Sequence, residues 1–377
     1  VTAGAFAVIG GNVAGLSAAF HLARKGCRVT VYERGVWEKP CGGGISLAFA
    51  RHLNRLFGLS GKGFQAPPRS LRIAFQTRQS ALLPPLFAVV SRYEMQKQLM
   101  ERISRHPLVD VVLQTVGADD TRLFTPQTVL ATGSSALTRR LLPAGGNGRE
   151  YALALKVRGK TGPGMERTAH LISMKSRING YGWIFFEADG SFNMGIGGLI
   201  SRSRLKEEFE LFRQETRLHQ GCTRLETDGA GGVWKIPIAR QPDLQPVAFC
   251  HAGTEFIGVG DVLGLAHPIL AAGIEPAWQS GRLLAESYLA EKKALDAGRY
   301  RRLLRKNLAL TSRKPVDRAA AAAFRMAGRP ATEKPALWFL RLAREGILRS
   351  LNRYPWFAMV HDGSQPIPVQ PKDPPPG

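Results

Sequence analysis

The stretch that decides the fold is Ala7–Arg34, AVIGGNVAGLSAAFHLARKGCRVTVYER. Ala5–Ile9 is a short apolar run of the kind buried in parallel sheets. From Val13 to Lys25 the apolar residues Leu16, Ala19, Phe20 and Ala23 recur at helical spacing, and Gly26 closes the helix. Arg28–Tyr32 is a second β-branched strand that ends on Glu33. The result is a strand–helix–strand opening with a glycine-rich turn at its first junction, which is where a dinucleotide motif belongs. That motif reads G-x-G-x-x-G. Here Gly10 and Gly15 hold the outer positions, Gly11 lies between them, and Asn12 stands at the middle one.

The outer glycines permit a tight turn and close helix packing, while the helix start, including Ala14, presents N–H groups to a pyrophosphate. Asn12 occupies the place where a side chain obstructs the backbone's approach to phosphate. Asparagine is the non-glycine residue that best tolerates left-handed dihedrals, and its amide can donate to a phosphate oxygen or bond locally. The competing reading of Asn12 is a loosened or lost nucleotide site. Glu33, followed by Arg34, sits where a carboxylate accepts both ribose hydroxyls. A 2′-phosphate there would meet a negative charge, so the turn predicts FAD or NAD rather than NADP.

A chain of 377 residues, 44% hydrophobic and 21% charged, is long enough for two subdomains and is globular in composition, not disordered. Its net charge of +23 admits a solvated cationic surface, attraction to anionic lipid or acidic substrates, or nucleic acid. No nucleic-acid-binding motif accompanies the charge, so no nucleic-acid partner is expected. Cys27, Cys41, Cys222 and Cys250 make no metal spacing and read as free thiols in a reducing compartment; no metal is expected. No signal peptide fits ahead of the first strand, and no apolar run reaches the roughly 18–20 residues that span a bilayer. The expected location is the cytoplasm, with peripheral contact at an anionic inner membrane surface as the further option.

Two more segments point to the same nucleotide. In FIGVGDVLGLAHPILAAGIEPAWQSGRLLAES (Phe256–Ser287), a strand ends on Gly260-Asp261, whose carboxylate can bind a ribityl or ribose hydroxyl. The chain then passes His267-Pro268 and opens a helix near Gly273-Ile274, whose N-terminal dipole suits the flavin N1/O2 edge. In SRYE (Ser91–Glu94), Arg92 begins an amphipathic helix and can reach a phosphate or flavin edge; a surface helix cap is the alternative. A loop over Gly42–Gly44 and a helix from about Ser46 to Phe57 follow the opening unit. AHLISMK, YGWIFFEA and FNMGIGGLI predict a mostly antiparallel region, interrupted by a helix over SRLKEEFELFRQETRL.

These motifs, in this order, resemble the p-hydroxybenzoate-hydroxylase-type FAD-binding fold, and within it the geranylgeranyl reductase family. The resemblance spans about residues 5–290. KPCGGGIS (Lys39–Ser46) is similar to the family's K-P-C-G-G-G/A loop, and GYGWIFFEADGSFNMGIGG (Gly180–Gly198) to its Y-x-W-x-F signature. The resemblance implies FAD contacts at Cys41, Gly42, Gly43, Thr132, Gly133, Pro268 and Ala272, besides the residues above. It implies that Tyr181, Trp183 and Phe185 line a hydrophobic tunnel beside the flavin; ordinary core packing is the other reading of that aromatic strand. It also implies that Cys41, with Tyr181, faces flavin and substrate and assists proton delivery or positioning, although a lone thiol can equally be inert.

The chain departs from the pattern in two places. ATGSSALTRR (Ala131–Arg140) stands where relatives read A-D-G-x-x-S-x-x-R, so Thr132 replaces the acid and Ala136 the serine. Ala271-Ala272-Gly273-Ile274 stands for G-E-G-I, which removes a carboxylate near the flavin.

The expected architecture is α/β: a Rossmann-like FAD-binding domain with an inserted antiparallel β-sheet substrate domain and a C-terminal helical region. The FAD-binding part takes residues 1–57, 88–150 and 246–292, and the substrate part takes 58–87 and 151–245. A helical region runs over 293–362 and a disordered tail over 363–377. The expected activity is reduction of carbon–carbon double bonds in an isoprenoid or lipid-like small molecule, with electrons from NAD(P)H or a ferredoxin-type donor. A flavin monooxygenase or halogenase is the alternative enzyme. A non-catalytic flavoprotein or lipid-binding module is the alternative of another class. The basic helices RYRRLLRKN and LWFLRLAREGILRSLNRYPWF fit either an interfacial role or packed helices with a solvated face.

Overall fold

The computed structural model describes residues 4–36, 39, 41–59, 64, 70–74, 80–83, 85, 87–142, 150–160, 169–187, 191–220, 233–238, 247–266 and 271–308. Pro268, Cys222 and the chain beyond Leu308, which includes the predicted second basic helix and tail, lie outside them.

The elements run β1 (Ala5–Ile9), α1 (Val13–Ala23), β2 (Arg28–Glu33), β3 (Gly44–Ser46), α2 (Leu47–Phe57), β4 (Ser70–Ala74), β5 (Ser80–Leu83), β6 (Phe87–Val89), α3 (Arg92–Ile103) and β7 (Val109–Leu113). There follow β8 (Gln127–Leu130), α4 (Ala136–Leu141), β9 (Glu150–Lys160), β10 (Ala169–Lys175), β11 (Gly180–Phe186), β12 (Ser191–Gly198) and α5 (Arg202–Gln220). The last are β13 (Trp234–Ile238), β14 (Ala248–His251), β15 (Thr254–Gly258), α6 (Ile274–Glu286) and α7 (Ala297–Asn307).

A six-stranded sheet has the order β14-β15-β8-β1-β2-β7, parallel throughout except for the edge strand β14. Strand order reverses between β1, which continues into β2, and β8, so the carboxyl ends of β1, β8 and β15 open the crevice where such sheets bind ligands. Alternation along β1 explains its two-sided burial. Phe6 and Val8 join the core beneath α1, α2, α3 and α6, while Ala7 and Ile9 join a second cluster with Leu130, Leu141 and Phe256. The expected α/β fold with a Rossmann-like sheet and a separate β-sheet is borne out.

The second sheet has seven strands in the order β13-β9-β12-β11-β10-β4-β5. It is antiparallel except that β4 runs parallel to β10, a pairing across a long sequence separation that local pattern does not reveal. On β11 the period of two again sorts the residues. Ile184 and Phe186 pack against Leu205, Phe209 and Phe212 of α5, whereas Tyr181, Trp183 and Phe185 face the other way with Ile172, Met174 and Leu71. That second face is the one turned toward the Cys41 loop.

Three expectations shift in detail. Gly44 does not belong to a glycine loop but begins β3, which pairs with β6. The strand before Asp261 ends at Gly258, and Gly260–Val262 form a single 3₁₀ turn. The helix after it begins at Ile274, with Gly273 as its N-cap. No described helix is long and apolar enough to cross a membrane.

Candidate active site

The nucleotide turn is built tightly. Gly10 has φ 106°, a left-handed value that glycine tolerates, and its N–H donates to the Tyr32 carbonyl at 2.8 Å. Glu33 is buried, and its Oε2 accepts the Gly11 N–H at 2.6 Å, so the acid that ends β2 holds the turn. From α3, Gln96 Nε2 donates to the Gly11 carbonyl at 2.9 Å. Arg34 is exposed at the strand end.

Asn12 is not left-handed. At φ −84° and ψ −177° it is extended, and it acts as the N-cap of α1. Its Oδ1 accepts from the N–H groups of Ala14 (2.9 Å) and Gly15 (3.4 Å), and its Nδ2 donates to the Ala131 carbonyl. Of the two uses its amide allowed, local bonding is the one realised. The reason is that an uncapped helix start leaves buried donors unsatisfied, and a short polar side chain at that position reaches them. The side chain therefore occupies N–H groups that a pyrophosphate would otherwise use. Asn12→Gly is expected to tighten FAD binding by up to about tenfold, because charge-assisted bonds to phosphate replace neutral ones while Asn→Gly costs a cap only a few tenths of a kcal/mol. Flavin fluorescence titration of the apoprotein measures this. Weaker binding in the variant would mean that the amide itself serves the phosphate.

The ends of β8 and β15 meet next to this turn. Gly133 has φ +63° and would carry a Cβ 3.5 Å from Asp261 Cβ. Thr132 Oγ1 bonds Thr138 Oγ1 at 2.7 Å, so this hydroxyl is used within the segment that follows β8. Asp261 Oδ2 pairs with Lys39 Nζ at 3.0 Å, which brings Lys39 to the residues that follow β15. Gly260 N–H donates to Ser280 Oγ of α6 at 2.9 Å. Ala272, Gly273 and Ile274 then present the start of α6 to the same crevice, with no side-chain cap from Gly273.

The Cys41–Gly43 loop and the aromatic strand meet face to face. A Cβ on Gly42 would lie 3.1 Å from the Phe185 ring and 3.3 Å from Trp183 Nε1. Asn193 fixes the pairing: its Oδ1 accepts from Trp183 Nε1 at 2.9 Å, and its Nδ2 donates to the Gly42 carbonyl at 3.2 Å. Trp183 and Phe185 are buried, with Tyr181 half-buried beside Trp183 at a ring separation of 6.0 Å. Burial, with a smaller contribution from Cys41, raises the Tyr181 pKa, so the phenol keeps its proton far above neutrality. Cys41 is half-buried, and its Sγ accepts the Gly43 N–H at 3.4 Å. Arg92 opens α3 at the rim of the same recess, with a buried Nε that makes no hydrogen bond.

Several residues here were not singled out from the sequence. Lys39 lay inside a quoted motif. Lys156, Arg158, Glu187 and Asn193 emerge only from register, which pairs Lys156 with Gly195 and Arg158 with Asn193. Glu275 sits in the first turn of α6, three residues after Ala272, and turns inward to Ser46, whose Oγ donates to it at 2.7 Å. Desolvation raises its pKa from 4.5 to about 8, against the Ser46 hydrogen bonds that lower it. On α1, His21 is pushed the other way, from 6.5 to about 3, by burial first and by Arg282 and Arg24 next.

These two groups shape stability against pH. The unfolded chain binds a proton at His21 that the native state refuses, so stability falls as pH drops below about 6.5 toward 3. Native Glu275 keeps a proton that the unfolded chain loses, so stability falls as pH rises from about 4.5 through 8. The two slopes offset one another between about 4.5 and 6.5, where their joint contribution is flat. Denaturant melts across that range should show a loss on the order of a few kcal/mol on either flank. Glu275→Gln should abolish the alkaline flank and extend the acid flank up to about pH 6.5, because the His21 slope is then no longer offset; an unchanged alkaline flank would remove Glu275 as its source.

Residues 8–46 match the NAD(P)-binding Rossmann-like domain family. A menaquinone reductase of Mycobacterium tuberculosis is 27% identical over 312 residues, covering 74% of this chain and 75% of its own. A geranylgeranyl diphosphate reductase of Rhodobacter capsulatus is 26% identical over 310 residues, covering 76% and 75%. Among solved structures, a geranylgeranyl bacteriochlorophyll reductase-like protein of Thermoplasma acidophilum shares the fold with TM-score 0.68 at 18% identity, covering 93% of this chain and 95% of its own. A flavin-dependent brominase shares it with TM-score 0.64 at 15% identity, covering 95% and 94%.

Proposed function

We infer that this chain, a homologue of the geranylgeranyl reductases among the FAD-dependent oxidoreductases, reduces carbon–carbon double bonds of an isoprenoid or similar lipid-like substrate. The observation that carries this reading is the apposition of the Cys41–Gly43 loop with Trp183 and Phe185, an apolar wall against a glycine loop at the carboxyl ends of the parallel strands. The residues present fit FAD. Glu33 would hold the ribose, the α1 start would hold the pyrophosphate in competition with the Asn12 amide, Asp261 with Lys39 would hold the ribityl chain, and the α6 start would meet the pyrimidine edge. The orphaned Arg92 Nε supplies a further donor.

Reduced FAD, when bound, supplies a hydride from its N5. An isolated alkene is a poor electrophile, so close placement must provide much of the catalysis, and that is the task of Trp183 and Phe185. Tyr181 retains its proton near neutrality and lies near Cys41, and with the substrate bound beside them either group would donate the proton to the second alkene carbon. Asn193, bonded to both Trp183 and Gly42, keeps wall and loop at fixed spacing.

The likeness to a brominase favours one other reading, a flavin monooxygenase or halogenase. Both readings are separated by one experiment. Chemically reduced holoprotein, mixed with a polyprenyl substrate under strict exclusion of oxygen, should yield product heavier by one hydrogen molecule per reduced bond. Product that forms only when oxygen is admitted, and that carries oxygen or halogen, would overturn the reductase. Protein that takes up no FAD would overturn both.

A further inference from the structure

We propose that Glu275 is a redox-linked positioning residue: its buried carboxyl ties α6 to the strand that follows the Cys41 loop and takes up a proton from solvent when the bound flavin is reduced. This role rests on the flavoprotein reading above and adds to it a coupling between the cofactor's electrons and pH.

Glu275 is the second residue of α6, the helix whose start opens on the crevice, and Gly273 before it supplies no side-chain cap. An acid in a first turn ordinarily serves the N–H groups of its own helix. This one is buried and turns to another element instead. Ser46 Oγ donates to its Oε1 at 2.7 Å, and the Ser46 N–H is a second donor. Ser46 ends β3 and N-caps α2, where its Oγ accepts the Phe49 N–H at 3.1 Å. Phe49 stands where a capping box carries its acid, and Glu275 fills that place from α6. One carboxyl therefore joins the start of α6, the start of α2 and the strand three residues beyond Gly43.

No cation completes this carboxyl: among the described residues Glu275 makes no ion pair. The ionisable groups on the elements packed around it are His21 of α1, His52 of α2, Tyr300 of α7, Cys41 ahead of β3, and Asp261 with Lys39 after β15. On α6 itself Arg282 lies two turns further on and pairs with Glu286. Arg51 and Arg55 of α2 are exposed. Burial and the two Ser46 bonds set the proton affinity of Glu275, and none of these other groups contributes. A buried carboxyl with hydrogen-bond donors but no counter-ion favours its neutral form.

Neutral Glu275 leaves the positive end of α6 to the ring. With FAD bound there, reduction brings negative charge to the pyrimidine edge, and that charge disfavours an ionised carboxyl in the first turn of the same helix. The pKa of Glu275, raised by burial to about 8, therefore rises further on reduction. Near that pH the oxidised protein holds both forms, and reduction draws a proton onto the carboxyl. The ring gains two electrons from the reductant and one proton at N5. Glu275 gains one further proton from solvent, and reoxidation returns it.

The test is an anaerobic dithionite titration, with redox dyes, of FAD-loaded wild type and Glu275→Gln from about pH 6 to 10, the slope of midpoint potential against pH giving protons taken up per electron pair. Glutamine keeps the neutral shape and still accepts the Ser46 hydroxyl. The two proteins should share one midpoint at the acid end. Around pH 8 wild type should take up as much as about one proton more per electron pair than the variant, so its midpoint falls below the variant's toward the alkaline end. Proton uptake by the ring itself is common to both and cancels in the comparison. Ser46→Ala, which removes a bond to the ionised form, should move the extra uptake to higher pH, and it serves as the second variant should Glu275→Gln fold poorly. Cys41→Ser should leave the extra uptake in place. His21 and Tyr300 do not interfere, because burial keeps the first neutral down to about 3 and raises the second. Parallel profiles for wild type and Glu275→Gln, coincident or offset, would overturn the coupling and leave Glu275 a structural link only. Loss of the extra proton in Cys41→Ser would assign it to the thiol and overturn the role as well. Wild-type protein that takes up no FAD would show no flavin band at all, and would sink the flavoprotein reading together with this role.

Discussion

Gly15→Ala is expected to abolish FAD binding and to destabilise the protein by roughly 2–4 kcal/mol. A Cβ at this position would lie 1.9 Å from the Gly10 carbonyl oxygen and 3.0 Å from Ala131 Cβ. The first contact is backbone against backbone, so no rotamer change relieves it. Either α1 withdraws from the turn or the turn opens. Withdrawal strains the packing of α1 on α6, where Gly281 meets the Ala14 carbonyl and Ser17 Oγ donates to the Trp278 carbonyl at 2.6 Å. Opening of the turn pulls Gly11 from Glu33 and Asn12 from the Ala131 carbonyl, which dismantles the phosphate and ribose ends of the site together. Thermal melts with and without FAD, combined with flavin fluorescence titration, separate the two losses. Wild-type FAD affinity in this variant would show that the cofactor does not use the turn at all.

The opening unit was legible because everything that specifies it is local. β1, α1 and β2 are each encoded by their own periodicity, and Gly10, Gly15 and Glu33 fall at junctions that the pattern itself marks. The conformation of Asn12 was not legible, because two outlets for one amide differ only in which donors lie nearest in space. The seven-stranded sheet was legible as β-rich but not in its order, since β4 reaches β10 across residues that lie far apart in the chain. Register hid the most informative side chains of the recess. Read along β9, Lys156 and Arg158 look like the solvated half of an alternating strand; only the pairing with β12 turns them toward Cys41. Glu275 was hidden for a related reason. A carboxylate in a first helical turn reads as a favourable dipole partner, yet this one is buried against Ser46 and its pKa rises to about 8.

Gly43→Ala tests the reactive loop separately from the nucleotide turn, and its largest effect should fall on turnover. Gly43 has φ +73°, and a Cβ there would lie 2.1 Å from the Val90 carbonyl oxygen. The strain therefore has two sources, a dihedral that side chains disfavour and a collision with backbone. Val90 N–H also donates to the Gly43 carbonyl at 3.0 Å, so the two segments cannot separate without losing a bond. Val90 leads directly into Ser91, the N-cap of α3, and Arg92, its first residue. Displacing Val90 thus moves Cys41 on one side and the Arg92 guanidinium on the other. We expect substrate turnover to fall by about a hundredfold or more, with FAD still bound because the Gly10–Gly15 turn is intact. Visible circular dichroism of the bound flavin should change, reporting an altered ring environment. Gly42→Ala is the matched control: the nearest atoms to its Cβ would be those of the Phe185 and Trp183 side chains, at 3.1 and 3.3 Å, which can shift by tenths of an ångström. Equal losses in the two variants would mean that crowding of the aromatic wall, not the path of the loop backbone, limits the reaction; full turnover in Gly43→Ala would remove the loop from the active site.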